Sequence, residues 1–314
     1  MKRLVLAFAA AAASLTGAGT AAAADPDSCR LVRMSDPGWT DITSTNAMLG
    51  VVLQGLGYDQ KVDTLAVPVT FESLKNKQID VFLGNWMPAQ KRFIDPLTES
   101  GSIEVVTTNL KDIRFTLAVP DYVAKEGIRN FADLAKHADK FDKKIYGIEP
   151  GAPANQNIQK MLDAKEFGLA GWSLVESSEQ AMLSQVDRAK RAKKWIVFLA
   201  WEPHPMNTKY APAYLAGGDA YFGPNFGAAS VQTVTRKGFS ADCPNLGKLL
   251  QQVRFTVDAE NRIMGQILDK GQDAREAAKA ELKARPNLLG VWLAGVTTRD
   301  GRDGLAAVRK QLGL

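Results

Sequence analysis

Three tryptophans stand in segments built for turns rather than for a core. They are Trp39 in Ser35-Asp-Pro-Gly-Trp-Thr-Asp41, Trp86 in Gly84-Asn-Trp-Met-Pro88 and Trp201 in Ala200-Trp-Glu-Pro-His204. Core tryptophans lie within apolar runs, as Trp172, Trp195 and Trp292 do here. Gly, Pro, Asn and Asp beside an aromatic residue mark the ends of strands. Indole faces converging from separate loops suit a cation too diffuse to accept hydrogen bonds, a quaternary ammonium above all. Glu149 and Glu202 brace loops or cap helices, and nothing brings them to a common substrate as acid and base. The only histidines are His137, read as a surface residue, and His204, read as orienting the loop after Trp201.

The elements that must carry these residues alternate. Strand patterns cover 31–34, 62–67 and 79–83, with helices at 41–55 and 70–77 between them. Thr40 or Asp41 is positioned to cap the first helix, and Gly55 and Gly57 close it. Further strands are expected at 113–119, 144–148, 172–174, 195–200 and 229–235, with helices near 155–163 and 178–190. Residues 245–285 read as mainly helical, ended by Pro286. This βα alternation argues for α/β architecture with a parallel sheet. The second series ends at Trp201 as the first ends at Trp86, so two similar lobes are expected. They would join where 115–119 and 229–235 cross, with the ligand beyond the carboxyl ends of the strands.

The N-terminus reads as a leader. Met1-Lys-Arg3 is a positive start, Leu4 to Ala13 a short apolar stretch, and Ala22-Ala-Ala24 a cleavage site before Asp25. An exported, periplasmic protein is expected, with no later transmembrane span. The formal net charge of +5 falls by two when Lys2 and Arg3 leave. That is too mild and too scattered for nucleic acid. The two cysteines, Cys29 and Cys243, are expected to form one disulfide in an oxidising compartment. They cannot make a metal site, and no cofactor motif is present.

The segments Ser35 to Ile42, Val81 to Pro88, Gly147-Ile-Glu-Pro-Gly151 and Trp201 to Asn207 resemble the substrate-binding proteins of ABC importers for quaternary amines. The resemblance spans essentially the whole exported chain and is nearest to choline-binding members of the glycine betaine, choline and carnitine group. It implies a two-lobed periplasmic binding protein of type II: two α/β domains joined by a two-strand hinge. The bounds expected are 1–24 for the leader, 25–118 plus 232–314 for one lobe and 119–231 for the other. It also implies a box of three Trp and one Tyr around the trimethylammonium group. Trp39, Trp86 and Trp201 match the Trp positions, and the Tyr position falls on Phe115, which keeps the ring and loses the hydroxyl. Asp41 matches an Asp near the ligand's hydroxyl, and the corresponding Asn position falls on Ala152. Asn155 and His204 are read as supporting residues behind that contact.

The expected function is capture of choline for an inner-membrane permease by a monomeric, non-enzymatic protein. A carboxylate at Asp41 favours choline over betaine or carnitine, whose own carboxylate it would repel. Carnitine or glycine betaine is the alternative ligand. An exported hydrolase of choline esters is a distant alternative, because the chain lacks a G-x-S-x-G elbow, an H-E-x-x-H helix, a C-x-x-C pair and a phosphate loop.

Overall fold

The computed structural model describes residues 25–314; the expected leader, 1–24, lies outside them. Nine strands form one curled sheet. They are β1 (Leu31–Asp36), β2 (Asp59–Thr64), β3 (Val81–Met87), β4 (Ile103–Val119), β5 (Lys144–Tyr146), β6 (Ser173–Val175), β7 (Phe198–Glu202), β8 (Ala213–Tyr214) and β9 (Ala228–Arg236). Their order is β2-β1-β3-β9-β4-β7-β5-β6, with β8 beside β4. The two outer groups are parallel inside: β1 with β2 and β3, and β5 with β6 and β7. Between them β4 and β9 run antiparallel to each other and to their neighbours. The sheet is therefore mixed rather than parallel, and its two outer groups share the β4–β9 pair. The bounds expected from the sequence, 118/119 and 231/232, fall inside these two strands. β4 pairs with β9 from Ile103 to Arg114 and with β7 from Arg114 to Ala118, so one strand serves both lobes.

Two departures from the sequence pattern have local causes. β2 begins at Asp59, three residues before the apolar run that marked it, because it is an edge strand whose residues are mostly exposed. The helix after it, Val67–Lys75, also starts early, with Pro68 in its first turn, where a missing N–H costs nothing. The helical tail resolves into Pro244–Gln252, Val257–Lys270 and Ala274–Ala284, and two further helices, Asn287–Trp292 and Gly304–Leu312, follow Pro286.

Cys29 and Cys243 are disulfide-bonded, with Cα atoms 5.8 Å apart. The Asp25 carboxylate accepts from Tyr58 Oη and from the backbone N–H groups of Asn245 and Leu246, so the start of the described chain is tied to the first turn of a late helix. Closing a loop of 214 residues contributes stability on the order of 2–5 kcal/mol.

Candidate functional site

The first helix, Thr40–Gly55, starts directly after the Asp-Pro-Gly turn that ends β1. Its N-cap position is Trp39, with Thr40 and Asp41 inside the first turn, so neither of these two is the cap. Asp36 holds the turn: its carboxylate accepts from the Gly38 N–H at 2.7 Å and from the Thr43 hydroxyl at 2.6 Å. Gly38 has φ +92°, a backbone shape that favours glycine. Trp39 is thereby projected from one strand end, Trp86 from the C-terminal end of β3 and Trp201 from that of β7. Phe115 comes from β4, paired directly with Trp201.

These residues line one cavity, together with Asp41, Ala89, Gln90, Ile148, Pro153 and Ala154. The Phe115 ring lies between two tryptophans, 5.6 Å from Trp86 and 6.5 Å from Trp201 between centroids, and Phe222 supports it at 6.2 Å. Trp39, Trp86, Phe115 and Trp201 are all buried.

One ionisable side chain shares the wall. Asp41 is 2% exposed. Its Oδ2 accepts the Trp86 Nε1–H at 3.0 Å, while Oδ1 is buried without a partner. Burial first, and then the nearby Glu179 charge, push its carboxyl up to about 8, against the pull of the Trp86 N–H. Gln90 donates to the Gly84 carbonyl at 2.7 Å, which fixes its amide, and its Oε1 also lacks a partner. No Lys, Arg or His lines the cavity. Its polar side chains thus present two unpartnered acceptors, a surface for a ligand that carries positive charge and donates a hydrogen bond.

Ala152 does not line the cavity. It is the buried N-cap residue of the helix Pro153–Asp163, and the wall is formed by the next two residues, Pro153 and Ala154. Asn155 and His204 also stand behind the wall. Asn155 accepts from the Ile148 N–H and donates to the carbonyls of Ile148 and Glu149 and to Glu176 Oε1, which sets the 148–149 loop. His204 Nδ1 accepts the Met206 N–H, so Nε2 carries the proton toward Glu179 Oε1 at 3.3 Å. Its ring packs edge-on to Trp201 at 5.2 Å. Both ring nitrogens are engaged and neither meets a hydroxyl nucleophile. Glu202 pairs with Arg114 outside the cavity.

Sequence reasoning passed over Gln90, Ile148 and Ala154 as wall residues. Gln90 lies two residues beyond the Trp86 motif, and that adjacency was its only signal. It took Glu149 for a loop brace, and Glu149 does serve one: both its oxygens accept the Trp39 Nε1–H, at 3.0 and 2.9 Å.

The profile of the substrate binding domain of ABC-type glycine betaine transport systems matches residues 30–284. A solved ABC-transporter choline binding protein in complex with choline is 52% identical over 92% of this chain and 100% of its own, with a TM-score of 0.90. The same type of protein in an unliganded semi-closed conformation has the same identity and coverage and a TM-score of 0.84. The glycine betaine/carnitine transport binding protein of Listeria monocytogenes is 29% identical over 204 residues, 63% of this chain and 64% of that protein.

Proposed function

This chain belongs to the family of substrate-binding domains of ABC-type glycine betaine transport systems, and we propose that the ligand it delivers is choline. It is the substrate-binding component of an ABC transporter. The observation that carries the choice of ligand is the composition of the cavity wall: four aromatic rings, one buried carboxylate with a free oxygen and no basic side chain. Trp39, Trp86, Phe115 and Trp201 surround the trimethylammonium group, each well-placed ring contributing on the order of 1–2 kcal/mol once the cation is desolvated. Asp41 Oδ1 accepts the hydroxyl hydrogen bond. Glycine betaine or carnitine would set a carboxylate against Asp41 with no cationic side chain in the wall to receive it.

The lobes, 25–118 plus 232–314 and 119–231, close around the ligand, and a permease in the inner membrane receives it from a monomer. Members of this family serve importers at the outer side of the membrane. We place this one in the periplasm, cleaved after Ala24. No helix of the described residues is long and apolar enough to cross a membrane.

Calorimetric titration with choline and glycine betaine tests the ligand. Choline should bind at least tenfold more tightly at pH 8, and equal or tighter betaine binding would refute the assignment. The pH dependence has a definite sign. The ligand-free Asp41 carboxyl sits at about 8, so near pH 6 it holds its proton. A caged cation favours the ionised form, so binding releases that proton. Choline affinity should therefore rise between pH 6 and 8, by up to about tenfold per unit for one proton, and level off above. Betaine affinity should not rise.

A further inference from the structure

Gln90 lines the cavity beside Trp86, and the protein gives its side-chain oxygen no other task. The residue is 0% exposed. Its Nε2 donates to the Gly84 carbonyl at 2.7 Å, and its backbone N–H bonds the Trp86 carbonyl at 2.9 Å. Both ends of Gln90 are thereby tied to the strand that carries Trp86. The hydrogen bond to Gly84 also fixes the amide, because the reverse orientation would set two oxygens against each other. Gln90 is the N-cap residue of the helix Lys91–Glu99, yet its side chain accepts no N–H from that helix. Oε1 is left buried without a partner. A buried acceptor without a donor costs more than an ordinary hydrogen bond gains, so a donor brought by the ligand has value here.

Counting donors separates two kinds of ligand. The wall holds two unpartnered acceptors, Asp41 Oδ1 and Gln90 Oε1. Choline carries one O–H, which Asp41 takes, and no N–H. Its N-methyl groups can meet Oε1 only through weak C–H contacts. A tertiary 2-hydroxyethylammonium, in which hydrogen replaces one methyl, carries two donors. Its O–H serves Asp41, and its N⁺–H forms a charge-assisted hydrogen bond to Oε1. The positive charge is the same, so the aromatic rings still attract it. No Lys, Arg or His in the wall repels it.

We propose that Gln90 receives the N⁺–H of a tertiary ammonium, so that the protein takes dimethylated ethanolammonium as a second ligand class beside choline. Asp41 then reads the hydroxyl in both classes, and Gln90 reads the degree of methylation of the head. The proposal rests on the cation reading above, and the ligand pairs that test it let either one fail without being mistaken for the other.

The test is calorimetry on the purified protein at pH 7.5 with choline and with N,N-dimethylethanolamine, which is protonated at that pH. Wild type should bind the tertiary amine within about threefold of choline. Gln90→Met keeps the length of the side chain and removes the acceptor. It should weaken N,N-dimethylethanolamine at least tenfold more than it weakens choline. A merely structural role for Gln90 would weaken the two ligands alike. Should Gln90→Met fail to fold, wild type alone decides with trimethylammonium and tetramethylammonium, which lack the hydroxyl and differ only in the N⁺–H. The tertiary ion should then bind within about threefold of the quaternary one. The inference is overturned if wild type binds either tertiary ion at least tenfold more weakly than its quaternary counterpart. It is equally overturned if Gln90→Met weakens both ligands alike, or choline the more, which would assign Gln90 to the fold or to the hydroxyl. If choline binds and N,N-dimethylethanolamine does not, this inference alone fails. If wild type binds none of the four, the cation reading fails and this inference with it.

Discussion

Replacing Trp86 with Ala is expected to weaken choline binding at least tenfold, and by more than Trp201→Ala does. Both variants lose a ring worth on the order of 1–2 kcal/mol against a desolvated cation, and a decade of affinity corresponds to about 1.4 kcal/mol. Trp86 does a second thing. Its Nε1–H is the one hydrogen bond to the Asp41 carboxyl oxygens, at 3.0 Å, and the other oxygen is already unpartnered. Without the indole, the buried carboxyl loses the donor that favours its charged form. Asp41 then holds its proton more firmly, and the cage loses charge together with ring surface. Trp201→Ala leaves that bond intact and disturbs the packing of Phe115 and His204 instead. Calorimetry reads the two affinities and circular dichroism confirms the fold. Wild-type affinity in both variants would show that the aromatic cage is wrongly assigned.

Asp41→Asn is expected to weaken choline about tenfold or more and to flatten its rise in affinity between pH 6 and 8. The amide oxygen can still accept the Trp86 N–H, so the local hydrogen bonding survives and the charge alone is removed. A carboxylate at about 4 Å from a cation interacts by roughly 4 kcal/mol at an effective dielectric of 20. Part of this is offset by the cost of keeping the acid ionised in a buried site. Glycine betaine should gain on choline in the same variant, because the carboxylate it would face is gone. The check is paired titration with both ligands at two pH values. An unchanged ranking with an unchanged pH profile would remove Asp41 from ligand selection.

The strand-end tryptophans were legible in the sequence because turn residues around an indole are a local signal. The two-lobed plan was legible from the βα alternation and from the resemblance of four segments. Four things were not. β2 is an edge strand of charged residues with little apolar pattern to read. β4 runs 17 residues through irregular pairings with β9, and only its buried end at 113–119 looked like a strand. The contact near the ligand's hydroxyl was expected at Ala152, whereas Pro153 and Ala154 line the cavity, a difference set by where the following helix begins. The acids at Glu149 and Glu179 meet their partners 110 and 139 residues away, and no spacing rule reaches that far.

The most direct measurement compares choline with 3,3-dimethylbutan-1-ol, which has the same shape and hydroxyl with carbon in place of the charged nitrogen. Rings and methyl burial alone would treat the two alike, whereas the Asp41 charge and the ring quadrupoles act only on the cation. Calorimetry at pH 8 should show choline bound and the neutral isostere at least 100-fold weaker. Comparable affinities would contradict recognition of the ligand by its charge.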